Sequence, residues 1–315
     1  MSEFDLIQRY FTRVTPSAIL GVGDDAALLQ VSEGMELAVS TDMLVSGTHF
    51  FPDAEPLLLG HKTLAVNLSD MAAMGATPRW ATLSLSLPSI EEAWLEKFSH
   101  GFFLLADQYQ VELIGGDTTR GPLNLCVTIM GEVPKAKALR RDGAKPDDDI
   151  WVSGTLGEAA LALAHLQGSI VLPQQVFVAY AAHLHQPQPR VALGLALRGI
   201  ANSAIDVSDG FLADLGHILD RSKVGAEINY ALIPTVCTSE QADAIMQRCV
   251  LSGGDDYELC FTSPTEYRAE IEKISATLAL PLTRIGKITA GRGCMVCGTD
   301  GGVMQIKDKG YDHFA

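Results

Sequence analysis

Aspartate residues recur in this sequence at glycine-rich or segment-terminal positions, where a backbone can approach a ligand closely. Six stand in such places: Asp25, Asp42, Asp70, Asp117, Asp206 and Asp209. Two carboxylates about 4 Å apart repel by roughly 4 kcal/mol at an effective dielectric constant near 20, so a cluster requires cations or protons. Magnesium commonly combines a few carboxylates with substrate phosphates. If these side chains converge, they predict a magnesium-dependent enzyme that acts on a phosphorylated substrate.

Asp70 lies near the end of a predicted apolar helix. Leu64 and Leu68 recur at helical spacing and are expected to face a core, whereas Asn67 and Asp70 fall on another side. Gly75 is expected to end the helix in a left-handed conformation. A carboxylate is unfavourable near the C-terminal end of a helix, because that end already carries a partial negative charge. For Asp70 alone, exposure to water near a helix end is the better explanation, and only its companions favour a functional role.

The segment 21–29 fits the pattern G-x-G-x-x-A of dinucleotide-binding loops. Such a loop requires a preceding buried strand and a following helix whose N-terminus attracts pyrophosphate. Here Thr15-Pro16-Ser17 precedes the glycines, and the adjacent acids Asp24 and Asp25 occupy the turn. The pattern therefore predicts phosphate binding only with a cation in between.

Two further motifs combine acids with glycine. A predicted strand enters Gly115-Gly116-Asp117, which is interpreted either as a ligand-binding turn or as an ordinary hairpin turn. Asp206-Val207-Ser208-Asp209-Gly210 precedes leucines at helical spacing, so Ser208 or Asp209 is expected to cap that helix. Capping explains one of these residues but not all three polar ones. Gly253-Gly254-Asp255 is expected to repeat the first turn in the second half of the chain.

Hydrophobic patterning predicts two mixed α/β domains, at residues 1–142 and 143–315, with a polar boundary near residues 143–149. Strands are predicted at residues 36–45, 80–87, 111–114, 123–133, 150–154 and 259–262. Helices are predicted at residues 3–13, 90–109, 158–167, 190–201 and 265–278, besides those that end at Gly75 and follow Gly210.

The composition restricts the partners. The 315 residues are 47% hydrophobic and carry 23 basic against 38 acidic side chains, a net charge of −15, which disfavours nucleic acid and anionic membranes. Neither a signal peptide nor a transmembrane span is predicted. Six scattered cysteines indicate reduced thiols and a cytoplasmic protein. Cys294 and Cys297 form a lone C-x-x-C, which fits a strand better than a zinc site.

Other catalytic classes lack their motifs. The sequence has no G-x-S-x-G elbow, no G-x-x-x-x-G-K-[ST] phosphate loop and no H-R-D kinase motif, and its histidines show no zinc-ligand spacing. The residues alone therefore predict a metal-dependent enzyme acting on a phosphorylated substrate. A non-catalytic, acidic metal-binding protein is the alternative from another class.

Six motifs occur in a specific order along the whole chain, at residues 21–25, 40–42, 67–75, 115–121, 206–210 and 310–314. In this order they resemble the thiamine-monophosphate kinase family, within the aminoimidazole-ribonucleotide-synthetase-like superfamily. The resemblance implies two α/β domains of that type and a homodimer paired through its N-terminal sheets. It also implies ATP-dependent phosphorylation of thiamine monophosphate to thiamine diphosphate. Another ATP-using enzyme of the superfamily is the nearest rival.

The resemblance also implies roles for individual residues. Several magnesium ions would be held by Asp25, Ser40, Thr41, Asp42, Asp70, Asp117, Asp206 and Asp209. ATP would be contacted by Gly116, Asp117, Arg141 and Ser208, and catalysis would rest on Asp70, Asp117 and Arg141. Thiamine monophosphate would be contacted by His49, Asp255 and Asp308. A potassium ion is a further candidate cofactor.

Two acceptor residues depart from the family pattern. Asp255 stands where the family often has glutamate, so its shorter side chain is expected to reach the substrate through water. Asp308 stands where an aromatic residue is common, which removes the expected stacking on thiamine.

Overall fold

The computed structural model describes residues 2–235, 243–306, 310–311 and 313–314. The chain forms two compact units, which we call unit 1 (Met1–Met71 and Ala76–Ala136) and unit 2 (Ala72–Gly75 and Lys137–Ala315). The domain boundary expected at residues 142 and 143 stays a prediction. Within the described ranges, no helix is both long enough and apolar enough to cross a bilayer.

Unit 1 contains a four-stranded sheet and three helices. Its strands are β1 (Met35–Val45), β2 (Thr77–Leu87), β3 (Glu112–Arg120) and β4 (Asn124–Pro134), and its helices are α1 (Glu3–Tyr10), α2 (Pro56–Ala73) and α3 (Glu92–Tyr109). The sheet order is β1-β4-β2-β3, in which only β2 and β3 pair in parallel. Alternate residues of β2 and β4 are fully buried, which marks one covered and one more exposed face.

Unit 2 contains a six-stranded sheet of order β10-β7-β9-β5-β8-β6. Its strands are β5 (Asp149–Ser153), β6 (Ser203–Asp206), β7 (Gly225–Asn229), β8 (Leu259–Ser263), β9 (Leu282–Thr289) and β10 (Gly293–Cys297). Its helices are α4 (Glu158–Leu166), α5 (Gln174–His185), α6 (Val191–Ala196), α7 (Phe211–Ser222), α8 (Asp243–Ser252) and α9 (Arg268–Leu278). The strands β5 and β8 and the edge strand β6 are buried at every position, so they show no alternation of buried and exposed residues.

The mixed α/β fold class and most predicted elements are confirmed, including the helix end at Gly75, whose φ is 60°. The turn interpretation of Gly115–Asp117 is wrong, because these residues continue β3 beside β2. The repeated Gly-Gly-Asp turn is therefore wrong as well. The elements α5, β6, β7, α8 and β9 were not predicted, since their patterns are short or mixed.

Helices α2 and α3 approach each other at two glycines. A Cβ atom added to Gly60 would lie 2.1 Å from the carbonyl oxygen of Phe98, and one added to Gly101 would lie 1.9 Å from that of Leu57. Both contacts are with backbone, which cannot move aside as a side chain can. The crossing therefore depends on glycine at both positions.

We expect Gly60→Ala to lower the free energy of unfolding by about 1–3 kcal/mol, because the methyl group overpacks the crossing. Gly216→Ala in α7 is the matched control, since no atom lies within 4 Å of its added Cβ. That change should raise stability by about 0.5–1 kcal/mol. Urea unfolding of the two variants measures the difference, and equal effects would contradict the packing argument.

Candidate functional site

The covered face of β1 meets the polar side of α2. Ser40 Oγ donates to Asp70 Oδ2 at 2.5 Å, and the Asp42 backbone N–H donates to Asn67 Oδ1 at 3.2 Å. Asn67 is itself oriented by donating through Nδ2 to the Thr63 carbonyl at 3.0 Å. Residues 40 and 42 share this face because side chains alternate along a strand. The structure thus brings Ser40 and Asp70 together, and their role as metal ligands stays a prediction.

The burial of α2 differs from the expectation. Asn67, which the sequence places on a different side from the core leucines, is only 1% exposed, and so is Thr63. Both sides of this part of the helix are therefore buried, and the Thr63 and Asn67 side chains each donate to a backbone carbonyl within the helix. Asp70 is partly exposed at the end of this polar stripe.

Thr41 points to the other face of the sheet. Its hydroxyl lies 2.8 Å from the Thr128 hydroxyl on β4 and is exposed. Alternation separates this hydroxyl from Ser40 and Asp42, which flank it in sequence. Its role as a metal ligand therefore stays a prediction.

Asp25 and Asp117 line one cleft of unit 1, with a volume of ≈ 660 Å³. The loop of Gly21–Ala27 forms one side, and Gly115–Thr118 of β3 contributes to the lining. Gly116 has a φ of 154°, and a Cβ there would lie 1.9 Å from the Leu83 carbonyl oxygen. Only glycine therefore allows β3 to run this close to β2 at the cleft.

His49 is half-buried just after β1. Its Nδ1 accepts the Val45 backbone N–H at 3.0 Å. An accepting Nδ1 requires the proton of a neutral ring to sit on Nε2. His49 is thus held in one tautomer, and its proposed contact with substrate stays a prediction.

In unit 2, Asp206 ends β6 and is buried, while Ser208 and Asp209 are partly exposed in the loop before α7. The prediction that Ser208 or Asp209 caps α7 is wrong, because Gly210 is the N-cap and makes no side-chain bond. Asp214 fills this role from within the helix. Its Oδ2 accepts the backbone N–H groups of residues 208, 209 and 210 at 3.0, 3.1 and 3.2 Å.

The surroundings of Asp214 also shift the pKa of its carboxyl group. Burial, followed by the negative charges of Asp206 and Asp209, raises its pKa to about 7. The backbone donors act in the opposite direction and lower the pKa. Sequence reasoning missed this residue, and the available signal was an acid in the first turn of a helix that lacks a side-chain N-cap.

Asp255 follows α8 in a left-handed conformation, with a φ of 69°. Its backbone N–H donates to the Ser208 carbonyl at 2.9 Å, so the Asp255 segment and the Asp206–Asp209 loop are in direct contact. Arg141 is exposed, and its carbonyl accepts the Ser222 hydroxyl at 2.9 Å. Asp308 lies outside the described residues, and its predicted role is untested.

Across the described residues, no group of three or more His, Cys, Asp and Glu side chains is arranged to hold a metal ion. Among the predicted ligands, Ser40 and Asp70 share a hydrogen bond. Cys294 and Cys297 lie in β10, as the strand interpretation predicts.

Comparison with known families identifies the class of protein. The family model for the N-terminal domain of AIR synthase related proteins matches residues 23–133. The model for their C-terminal domain matches residues 145–296. The chain is therefore built from the two domains of an AIR synthase related protein, which confirms the predicted fold class.

Individual relatives show to which family within this class the chain belongs. The thiamine-monophosphate kinase of Escherichia coli (strain K12) is 49% identical over 325 residues, covering 99% of this chain and 98% of the relative. The one from Bacillus subtilis (strain 168) is 36% identical over 325 residues, covering 100% of both. The chain belongs to the thiamine-monophosphate kinase family and is an enzyme of that kind, which confirms the resemblance read from its motifs.

Solved structures of thiamine-monophosphate kinases are also similar to this chain. The crystal structure of thiamine-monophosphate kinase from Stenotrophomonas maltophilia K279a has a TM-score of 0.86 and 48% identity, covering 96% of this chain and 98% of its own. AaThiL complexed with AMPPCP and TMP has a TM-score of 0.77 and 30% identity, covering 99% and 96%. The hydrogenase maturation protein HypE in complex with ATP, at a TM-score of 0.77 and 22% identity, shares the fold.

We expect Asp214→Ala to lower the free energy of unfolding of metal-free protein by about 1–3 kcal/mol at pH 5, because buried N–H groups lose their acceptor. A folded-state pKa raised from 3.8 to about 7 means that the stabilising contribution of Asp214 is lost as pH rises through that range. The difference between wild type and variant should therefore shrink at pH 8. Urea unfolding in a chelating buffer measures it, with the exposed Asp220→Ala on the same helix as control. A difference that grows with pH would contradict this account.

Proposed function

We propose that the chain catalyses ATP-dependent phosphorylation of thiamine monophosphate to thiamine diphosphate, in thiamine diphosphate biosynthesis. The observation that carries this proposal is the full-length similarity to AaThiL, whose complex holds AMPPCP and TMP together. AMPPCP is a nucleoside triphosphate analogue and corresponds to the donor, so TMP corresponds to the acceptor. We place the reaction in the cytoplasm, which the scattered cysteines of the sequence favour.

The acceptor explains why no general base is needed. A phosphate monoester carries a charge near −2 at neutral pH, since its second pKa is about 6. Its oxygen can attack the γ-phosphorus directly, in line with the leaving group. Catalysis then consists of holding two anionic phosphates together and neutralising their charge.

Magnesium fits the donor set, because every predicted ligand offers oxygen and none offers sulfur or imidazole nitrogen. Unit 1 would hold ions through Asp25, Ser40, Thr41, Asp42, Asp70 and Asp117, and unit 2 through Asp206 and Asp209. When bound, the ions supply positive charge that neutralises the phosphates. The hydrogen bond from Ser40 holds the Asp70 carboxylate against β1. Potassium is a further candidate cofactor.

The remaining predicted residues bind the two substrates. ATP contacts are assigned to Gly116, Asp117, Arg141 and Ser208, and the exposed Arg141 guanidinium is available to an anionic phosphate. Thiamine monophosphate contacts are assigned to His49, Asp255 and Asp308. Asp70, Asp117 and Arg141 are the proposed catalytic residues.

The function is tested by incubating the protein with ATP and magnesium, with and without thiamine monophosphate, and identifying the products. Thiamine diphosphate and ADP should form in equal amounts only when the acceptor is present. ATP consumption that ignores thiamine monophosphate would favour another reaction of the superfamily, and binding of magnesium without ATP consumption would favour a non-catalytic metal-binding protein.

In the same assay, we expect Asp70→Asn to lower turnover at least about a hundredfold, since a neutral amide is a poorer magnesium ligand and charge neutralisation is lost. Its metal-free melting temperature should stay unchanged or rise slightly, because the amide oxygen can still accept from Ser40 while one negative charge is removed. The exposed Asp53→Asn is the matched control and should keep normal turnover. Normal turnover with a large loss of stability would make Asp70 a structural residue.

A homodimer through unit 1 is the second part of the proposal. The edge strand β1 exposes Leu37, Val39 and Met43 at 42%, 57% and 56%. These side chains share one face of the sheet, and an apolar edge strand of this kind requires cover. A second copy of the same sheet would provide a matching apolar surface.

We expect Val39→Glu to convert the dimer to monomer at micromolar concentration, because a buried unpaired charge would face the partner. Val178→Glu on α5 is the matched control, since Val178 is 58% exposed, close to Val39. Light scattering measures both masses. A monomeric wild type with full activity would sink the proposal.

A further inference from the structure

The segment from Gly253 to Glu258 joins α8 to β8, and we call it the acceptor segment. Asp255 and Tyr257 in it have φ angles of 69° and 51°, in the left-handed region that non-glycine residues rarely adopt. Such a backbone persists only where surrounding contacts hold it in place. The side chain of Asp255 is therefore aimed by contacts made elsewhere in the segment.

The acceptor segment lies along residues 207 and 208. The Asp255 N–H donates to the Ser208 carbonyl at 2.9 Å, the Tyr257 N–H to the Val207 carbonyl at 2.8 Å, and the Val207 N–H to the Glu258 carbonyl at 2.8 Å. These bonds join the acceptor segment to residues 207 and 208. Other contacts then hold the two joined backbones in place within unit 2. On the side of residue 208, that contact is Asp214.

Two buried carboxylates that belong to the acceptor segment anchor it to neighbouring residues. Both oxygens of Asp256 accept the Gly157 N–H, at 3.1 and 2.9 Å. Glu258 is 3% exposed and accepts from Ser153 Oγ, which in turn accepts the Leu259 N–H at 2.9 Å. Neither acid belongs to the proposed set of metal or substrate ligands.

Arg190 completes the surroundings of Glu258. Its Nε donates to Glu258 Oε2 at 2.7 Å and its Nη2 donates to Oε1, so the two planar groups form a fork. Gly154, with a φ of 56°, leaves room for the carboxylate, because a Cβ there would lie 2.1 Å from Oε1. A buried carboxylate that loses its cation cannot remain in place at low energetic cost. Removing the Arg190 fork therefore releases Glu258 and the segment that ends in it.

We propose that Arg190 and Glu258 are positioning residues of the acceptor site, which hold Asp255 in the left-handed geometry that it uses toward thiamine monophosphate. This rests on the proposed function, which assigns Asp255 to the acceptor. Because Asp214 holds residues 208–210 independently, loss of the fork displaces the acceptor segment more than the Asp206–Asp209 loop. The pair thus acts on acceptor binding more than on ATP binding.

A second fork in unit 2 provides the control. Arg268 donates through Nε to Asp149 Oδ2 at 2.5 Å and through Nη2 to Oδ1 at 2.8 Å, and Asp149 is as buried as Glu258. Asp149 pairs with Ser263 at one end of the β5–β8 ladder, whereas Val152 pairs with Cys260 near the other end, next to Glu258. The two forks therefore share the same pair of arginine donor atoms to one buried carboxylate, although Asp149 also accepts from Arg284 Nη1 at 3.4 Å, and they differ in their distance along the chain from the acceptor segment.

The test compares Arg190→Lys, Arg268→Lys and Asp255→Ala with wild type in steady-state kinetics of the full-length protein. Lysine keeps the charge but cannot form the fork. We expect Arg190→Lys and Asp255→Ala to raise the KM for thiamine monophosphate about tenfold to a hundredfold, the loss typical of a misplaced contact. The KM for ATP should change little, and Arg268→Lys should leave both constants near wild type.

Hydrogen exchange gives a readout that does not need turnover. Backbone amides of the acceptor segment should exchange faster in Arg190→Lys, and amides of residues 147–150 should not. Glu258→Gln is the second variant if Arg190→Lys does not fold, and the same exchange and kinetic changes are expected of it.

The outcomes separate the two proposals. If Asp255→Ala raises the KM for thiamine monophosphate while Arg190→Lys behaves like Arg268→Lys, the positioning role is overturned and the proposed function stands. If Asp255→Ala has no effect on that constant, the acceptor role of Asp255 fails and the positioning role fails with it. Unchanged exchange in the acceptor segment would overturn the positioning role even in a protein without kinase activity.

Discussion

Buried carboxylates constrain unit 2, because each one must receive donors where water is excluded. Asp149 takes a fork from Arg268, Glu258 takes one from Arg190, and Asp214 takes three backbone N–H groups. Each of these contacts joins segments that are distant in sequence or fixes a loop that carries proposed site residues. The positions of the loops therefore follow from the need to satisfy these acids.

In unit 2, different contacts hold the Asp206–Asp209 loop and the acceptor segment. Asp214 holds the backbone of residues 208–210 from the helix that follows it, and Ser153 and Arg190 hold Glu258 at the end of the acceptor segment. The loops then bond to each other through Ser208 and Asp255. Side chains proposed to meet ATP and thiamine monophosphate are thus carried on backbones that contacts within unit 2 hold in place, as precise positioning requires.

In unit 1, polar residues of the strand β1 and the helix α2 bond to each other. Ser40 and Asp42 take two alternate places on the covered face of β1, where apolar side chains would otherwise lie, and they meet Asp70 and Asn67 of α2. Asn67 is bonded within the helix, so the polar stripe is satisfied while Asp70 keeps partial access to solvent. The opposite face of β1 exposes apolar side chains instead, which is the basis for the proposed dimer.

The sequence was sufficient to predict the fold class, most strands and helices, and the family, because long periodic segments and ordered motifs depend on local residue types. It failed where periodicity is short or buried on both sides. The Gly115–Asp117 segment was interpreted as a turn, yet it continues a strand, since glycine there serves the close approach of β3 to β2 and not a change of direction.

The sequence by itself determined which oxygen-bearing residues this protein has, that they stand beside glycines, and that their order is that of one kinase family. Only the tertiary structure decided that Asp214, and not Ser208 or Asp209, satisfies the start of α7. It alone brought Arg190 to Glu258 across 68 residues of chain. Such pairs are invisible in one sequence, because a buried carboxylate requires a donor but does not specify where along the chain that donor lies.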